Sequence, residues 1–146
     1  MNKETAELRE AVRVMSDFYH RENELYQNVA RKIGLSDSAF AILYDLHEKD
    51  GLTQKQLAVG NCLSKQTINS SVKRLEENGR VRIETHGRTS RIWLTDAGHQ
   101  LAKERIEPVV QAECAALDHL PPKERHYLLN SYRAYLEALA AALDEL

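Results

Sequence analysis

The stretch LSKQTINSSVKRLEENGRVRIE, residues 63–84, decides the fold because its hydrophobic period changes within it. Its apolar residues first recur every three or four positions, at Ile68, Val72 and Leu75. This spacing puts them on one face of a helix, which Ser64 is placed to cap and Gly79 to end. Val81 and Ile83 then alternate with arginines, which is the period of a strand. The stretch therefore predicts an amphipathic helix followed directly by a strand.

The face of this helix opposite its apolar residues carries only amides, hydroxyls and cations. On a helical wheel it contains Gln66, Thr67, Asn69, Ser70, Lys73 and Arg74. Such groups are suited to base edges and phosphates in a major groove. The sequence thus predicts a DNA-contacting helix, and a charged face that is merely solvated is the weaker interpretation.

The charge of the chain is unevenly distributed. Residues 64–94 contain seven cations and three carboxylates, a net charge of +4, so the remaining residues carry −6 of the total of −2. A sequence pI near 6.3 is not that of a typical nucleic-acid binder. The local field is nevertheless that of a basic module on an acidic scaffold.

Two further segments complete a winged helix–turn–helix. Upstream, Thr53 and Gln56 form a capping box for the short helix TQKQLAV. Downstream, SRIWL alternates as a second strand, and HGRT, residues 86–89, predicts a turn centred on Gly87. The hairpin is basic, with arginines at Arg80, Arg82, Arg88 and Arg91. A basic hairpin after a helix–turn–helix predicts a wing.

Long amphipathic segments flank this centre. A leading helix ends near Gly34, and Ser36 caps the next. Thr95 caps the first trailing helix, in which a kink is expected at Pro108, and a second trailing helix starts at Pro121 and Pro122. The second helix has a predicted core face of Phe40, Leu43, Tyr44 and Leu46. The leading and trailing helices have more apolar surface than one small module covers, which predicts a homodimer.

The predicted fold class is mainly α with a small β-hairpin. One domain, residues 1–146, is expected, with a winged helix–turn–helix at 36–97 and dimerisation helices at 1–33 and 100–146. The sequence lacks the common catalytic motifs, so an enzyme is not expected. The six histidines are scattered, and neither a metal site nor a cofactor is predicted. A cytoplasmic protein is expected, because neither a signal-peptide core nor a membrane-spanning run is present.

The segments GLTQKQLA, LSKQTINSSVKRLEENG and RIWLTDAG resemble, in order and spacing, the MarR family of bacterial transcription regulators. This resemblance implies a homodimer that binds double-stranded DNA at a pseudo-palindromic operator, usually as a repressor. A small molecule, often phenolic or anionic, or an oxidant typically releases such a regulator. Carried over to this sequence, the groove contacts are Ser64, Lys65, Gln66, Thr67, Asn69, Ser70 and Lys73, and Arg88 is the wing arginine. With Arg74 and Arg91, these are the predicted DNA-binding residues.

The sequence departs from the family pattern in the wing and before the recognition helix. His86 stands where the family usually has an acidic residue, and the wing is shorter than usual. Asn61 takes a position that is commonly apolar, which predicts looser packing there. The differences in the wing affect how far it can reach into the minor groove, and Asn61 affects the packing of the turn before the recognition helix.

Alternatives remain open for the effector and for the partner. In the family, the effector cleft is bordered by helices that here carry Phe18, Tyr19, Tyr26, Phe40 and Tyr44, and of these Tyr19, Phe40 and Tyr44 are the predicted effector contacts. Aromatic residues at helical spacing are, however, more often core. Cys62 lies close to a helix N-terminus and to Lys65, as a redox-sensing thiol would, although a plain turn residue is the more common case. Cys114 is expected to pack among alanines. A winged-helix adaptor that binds proteins is the rival to DNA binding.

Overall fold

The computed structural model describes residues 3–146, so positions 1 and 2 of the predicted dimerisation range 1–33 lie outside it. The described elements are α1 Lys3–Lys32, α2 Asp37–Glu48, α3 Gln54–Gly60, α4 Lys65–Glu77, β1 Val81–His86, β2 Thr89–Leu94, α5 Asp96–Arg105, α6 Glu107–Asp118 and α7 Pro122–Asp144. The predicted class, mainly helical with one β-hairpin, is confirmed. The chain forms two compact units, one ending at Ile106 and the other Glu107–Leu146.

All four predicted side-chain caps form at the N-termini of their helices. Ser36 and Thr53 accept the backbone N–H of the residue three positions later at 3.2 Å, and Ser64 and Thr95 do so at 3.0 Å. Gln56 completes the capping box by accepting the Thr53 N–H at 2.9 Å. Each cap satisfies a backbone donor that has no partner within its helix, so these residues fix where α2, α3, α4 and α5 begin.

The core of the first unit lies where α2, α3, α4 and the hairpin meet. Its fully buried side chains include Ile42, Leu43, Leu46, Leu57, Ile68, Val72, Val81, Ile92 and Ile106. The predicted inward face of α4 is confirmed in full, because Ile68, Val72 and Leu75 are all buried. On α2 the prediction was wrong in one place. Tyr44 is half-buried and lines a cavity, while Ile42 takes a core position.

The hairpin has the predicted turn. His86 pairs with Thr89, so Gly87 and Arg88 form the turn, and Gly87 has the positive φ of +60° that this tight connection needs. One carboxylate anchors the base of the hairpin, since the backbone N–H groups of Gly51 and Leu94 both donate to Asp50 Oδ1 at 3.0 Å. The wing is thereby tied to the end of α2.

Pro108 does not kink one trailing helix as predicted. Instead α5 ends at Arg105 and α6 starts at Glu107, with Ile106 between them. Pro108 is then in the first turn of a new helix, where a missing N–H costs nothing. The prediction that Pro108 disrupts the helix was therefore right. The break lies two residues earlier, at Ile106, because proline is favoured in the first turn of a helix.

In the second unit, α6 and α7 are joined by a short turn, and Arg125 on α7 pairs with Asp118 on α6 at 3.1 Å. Pro122 occupies the start of α7, as predicted. Cys114 on α6 is exposed, so the expectation that it packs is wrong for the single chain. Within residues 3–146 no helix is both long and apolar enough to span a membrane.

Candidate nucleic-acid interface

The exposed face of α4 brings most of the predicted contact residues together. Exposed on or beside this helix are Ser64, Lys65, Gln66, Asn69, Ser70, Lys73 and Arg74. Thr67 is half-buried, and its hydroxyl lies 2.8 Å from that of Ser64. Because the apolar face of the helix is fixed in the core, the orientation of this polar face is fixed as well. Thr67 is therefore better placed to order the cap than to reach outward.

Two side chains of this face interact with neighbouring groups on the surface. The amide of Gln54, at the start of α3, donates to Asn69 Oδ1 at 3.3 Å. Lys73 lies 3.9 Å from Glu77, one turn further along α4. Both contacts are solvent-exposed and weak, so neither prevents the side chain from contacting a ligand. Gln54 was not predicted to contact this face. Only its position at the start of the helix–turn–helix could have indicated such a role.

A polar recess lies between the N-terminus of α2 and the side of α4. Its volume is about 360 Å³, and it is lined by Ser36, Ser38, Gln66, Thr67, Ser70, Ser71 and Arg74. The hydroxyls of Ser38 and Ser71 meet at 2.6 Å and join the two helices. The α2 N-terminus, the serine hydroxyls and the guanidinium of Arg74 together form surroundings that suit an anionic oxygen. Ser38 and Ser71 were not predicted, because their pairing depends on how α2 packs on α4.

The arginines of the wing have different surroundings. Arg80 donates to the carbonyl of Ala97 at 3.3 Å, and Arg91 donates to the carbonyl of Gly51 at 2.7 Å. Arg82 pairs with Glu84 and lies 5.8 Å from the ring centre of Trp93. These contacts order the base and the middle of the hairpin. The role of Arg91 in DNA contact stays a prediction, and its guanidinium has a structural partner.

Arg88 is placed differently, at the tip of the hairpin. It is exposed and makes no side-chain hydrogen bond or ion pair to any other residue in 3–146. An arginine at a two-residue turn projects further than any other cation of the hairpin. It is the wing residue best placed to reach a second molecule.

A separate cavity of about 470 Å³ lies between α1, α2 and the turn before α4. Three aromatic rings line it, with ring centres 6.1 Å apart for Tyr26 and Phe40 and 5.9 Å apart for Phe40 and Tyr44. Of the predicted effector residues, Phe40 and Tyr44 are thus brought together. Tyr19 is not, because its ring is exposed and contacts His20. Tyr26, another aromatic residue on a helix expected to border the effector cleft, lines the cavity instead.

Asp45 connects this cavity to the turn before α4. Its Oδ2 accepts a hydrogen bond from Asn61 Nδ2 at 2.7 Å, and Asn61 also donates to the carbonyl of Leu57 at 2.9 Å. Burial raises the pKa of Asp45 above its usual value, and the hydrogen bond from Asn61 opposes that rise. The prediction that Asn61 loosens the packing was wrong, because its amide ties α3 and the turn to α2.

Cys62 lies in the same turn, and it is exposed and free. Its φ of +52° is unusual for a residue other than glycine, as expected where a chain reverses sharply between two helices. Its role as a redox sensor stays a prediction. In residues 3–146 no three potential metal ligands converge on one point.

Comparisons with known proteins agree with this architecture. A family model described as the MarR family matches residues 33–92. A MarR family regulator from Silicibacter pomeroyi is 25% identical, with 86% of this chain and 87% of that one aligned and a TM-score of 0.73. A MarR family regulator from Neisseria meningitidis is 21% identical over 99% of both chains, with a TM-score of 0.71.

A further structure similar to this chain contains nucleic acid. It is a MarR family regulator from Listeria monocytogenes complexed with a 26mer DNA, 19% identical over 90% of this chain and 89% of that one, with a TM-score of 0.71. No curated protein sequence matches the chain significantly. The predicted resemblance is confirmed: residues 33–92 match the MarR family, and the chain has the winged helix–turn–helix fold of MarR family transcription regulators.

Proposed function

We propose that this protein is a sequence-specific, double-stranded DNA-binding transcription regulator that acts as a homodimeric repressor. The observation that carries the proposal is the exposed face of α4, where amides, hydroxyls and cations lie together while the opposite face is buried. This face belongs to the part of the chain that has a net charge of +4. A neutral or acidic polar face would not favour contact with phosphates.

Roles on α4 follow from side-chain chemistry. Gln66 and Asn69 lie near the start of the helix, where recognition helices meet base edges, and each amide is suited to adenine. Lys65 and Lys73 are mobile point charges, which neutralise phosphates without reading sequence. Arg88 at the tip of the wing is assigned to the minor groove or its phosphates.

The recess between α2 and α4 is proposed to hold one phosphate of the DNA backbone. Arg74 supplies the charge, and the N-terminal end of α2 supplies the positive end of a helix dipole, which favours an anion. Ser38 and Ser71 fix the two helices relative to each other through their 2.6 Å contact. A phosphate bound there would set the register of α4 in the groove.

The homodimer is supported by apolar surface that the single chain leaves open. On α1, Leu8, Val12, Phe18, Tyr19 and Leu25 are exposed, and on α7, Tyr127, Leu128, Leu129, Tyr132, Leu136 and Leu143 are exposed. Single exposed apolar residues are ordinary, but repeated ones on long helices indicate an interface. A two-fold dimer would present two α4 helices to the two halves of a pseudo-palindromic operator.

Release by a small molecule is proposed to start at the aromatic cavity. Its volume of about 470 Å³ suits a small organic ligand, and Phe40 and Tyr44 supply apolar contact. Leu63, at its edge, immediately precedes the Ser64 cap of α4. A ligand in the cavity therefore contacts the turn that positions the recognition helix.

The proposal is tested by charge reversal on the two candidate surfaces. A preferred site is first obtained by selection from random duplexes, and affinity is then measured by fluorescence anisotropy. Lys65→Glu and Arg88→Glu are expected to weaken DNA binding strongly, whereas Lys103→Glu, an exposed position on α5, serves as the charge-matched control. A winged-helix adaptor would show no salt-dependent DNA binding at all, and that result would overturn the proposal.

A further inference from the structure

The lining of the aromatic cavity has a distinctive charge. It combines the rings of Tyr26, Phe40 and Tyr44 with the carboxylates of Asp37 and Asp45. Among the described residues that line it there is no lysine, arginine or histidine. An anion placed here would meet two negative charges and no compensating cation. The cavity therefore does not suit the phenolic or anionic effector implied by the family resemblance.

We propose that this cavity binds a small organic cation, an aromatic or alkyl ammonium or amidinium compound. The inference rests on the proposed function and deepens it by naming the chemical class of the effector. Aromatic faces attract cations through their quadrupoles, and the attraction grows when water is excluded. Three neighbouring rings beside two carboxylates supply both contacts that such a ligand needs.

Asp45 is the charged group in the lining that is best placed to select a cation. It is half-buried, and burial holds its pKa above the usual value, so its ionised form is poorly solvated in the empty protein. A cation beside it would restore the electrostatic stabilisation that water no longer supplies. Asp37, at the start of α2, is exposed and contributes at the rim of the cavity.

The same carboxylate links the ligand to the recognition helix. Asp45 Oδ2 accepts the hydrogen bond from Asn61, which lies three residues before the Ser64 cap. A cation drawn to Asp45 competes with Asn61 for this carboxylate. The turn at Asn61 and Cys62 would then lose one of its ties to α2, and the position of α4 would become less well defined. Differential binding of this kind shifts the population of DNA-competent protein.

The test compares two ring-bearing ions of similar size and opposite charge, benzyltrimethylammonium and phenylacetate. Each is titrated into the DNA-free protein and followed by NMR. We expect saturable binding of the cation and at least about tenfold weaker binding of the anion. Asp45→Asn preserves the shape of the side chain and the acceptor for Asn61. It is expected to weaken binding of the cation about tenfold without weakening binding of the anion.

Two further variants complete the test. Glu48→Gln removes a carboxylate at the exposed end of the same helix, outside the cavity, and should leave both affinities unchanged. Asp37→Asn changes an exposed position, so it should not disturb folding. It should weaken binding of the cation to a smaller extent than Asp45→Asn does. Equal or tighter binding of phenylacetate, no saturable binding of the cation, or unchanged cation affinity in Asp45→Asn would overturn the proposal.

Because these titrations contain no DNA, they separate this inference from the proposed function. A protein that binds DNA but not the cation contradicts only the effector class. A protein that binds the cation but no DNA contradicts only the proposal that it is a DNA-binding regulator. If both hold, benzyltrimethylammonium should lower DNA affinity in the wild type and have a smaller effect in Asp45→Asn at the same concentration.

Discussion

Asn61 donates a hydrogen bond from its side-chain amide to Asp45 at 2.7 Å, and this contact joins the turn before α4 to the middle of α2. It therefore affects both the cavity and the position of α4. The same amide donates to the carbonyl of Leu57 at 2.9 Å, so both of its N–H groups have partners. A residue that departs from the family pattern thus holds the helix–turn–helix together here.

Replacing Asn61 with leucine, the kind of residue more common in the family, should destabilise this protein. Asp45 would remain half-buried without its donor, and leaving such a group unsatisfied costs about 1–3 kcal/mol. Urea denaturation of Asn61→Leu measures this change in the free energy of unfolding. Asn78→Ala, at the exposed end of α4, is the control and should have little effect. An Asn61→Leu protein as stable as the wild type would contradict this account of the turn.

The raised pKa of Asp45 predicts a pH dependence with a definite sign. Because the folded-state pKa is above the unfolded value, the stability linked to its proton is present at low pH and is lost as pH rises through the folded pKa. Asp45→Asn removes this loss and keeps the acceptor for Asn61. The variant should therefore gain stability relative to the wild type as the pH rises above about 4. A difference that is constant over this range would contradict the assignment.

Gly98 on α5 lies against the backbone of the hairpin base and should not tolerate a side chain. A Cβ built on it would lie 1.9 Å from the carbonyl oxygen of Arg80, which is backbone and cannot move aside cheaply. Gly98→Ala should cost about 1–3 kcal/mol of stability. Gly60→Ala is the matched control, because its Cβ would meet only the Asp45 carboxylate at an ordinary 3.6 Å. Thermal unfolding of both variants gives the comparison, and equal effects would contradict the packing described.

The proposed dimer predicts a different outcome for two substitutions on α7. Leu136 is exposed in the single chain, so Leu136→Glu should leave the fold of a protomer intact. If α7 forms the interface, a buried charge there should shift the protein towards monomer in sedimentation experiments. Ala141→Glu introduces the same residue at an exposed position on the side of the helix opposite Tyr132 and should leave the dimer unchanged. A Leu136→Glu protein that dimerises like the wild type would contradict the proposed interface.

Local signals account for what could be predicted from the sequence. Ser64 and Thr95 cap helices through bonds within three residues, and the period of Ile68, Val72 and Leu75 fixes the buried face of α4 directly. Gly87 indicates by its residue type where the hairpin turns. Each of these features depends on neighbouring residues only, so they were all predicted correctly.

Features that depend on how separate elements pack could not be predicted. The contact between Ser38 and Ser71 spans α2 and α4, and the bond between Asp45 and Asn61 spans α2 and the turn. Tyr44 was assigned to the core because helical periodicity does not distinguish a side chain that packs in the core from one that lines a cavity. The family resemblance singled out Arg88 in the wing, but the backbone partners of Arg80 and Arg91 depend on how the base of the hairpin packs and could not be predicted.

The central claim, that the outward face of α4 reads DNA, is tested most directly by titrating alanine variants on a selected and a random duplex at several salt concentrations. Gln66→Ala and Asn69→Ala should each cost about 1–3 kcal/mol on the selected duplex and relax the preference at one base position. Lys73→Ala should weaken both duplexes alike and lower the salt slope by about one unit, while Lys103→Ala should change neither. If Gln66→Ala and Asn69→Ala weaken both duplexes equally, with base preference unchanged, the assignment of this face is contradicted.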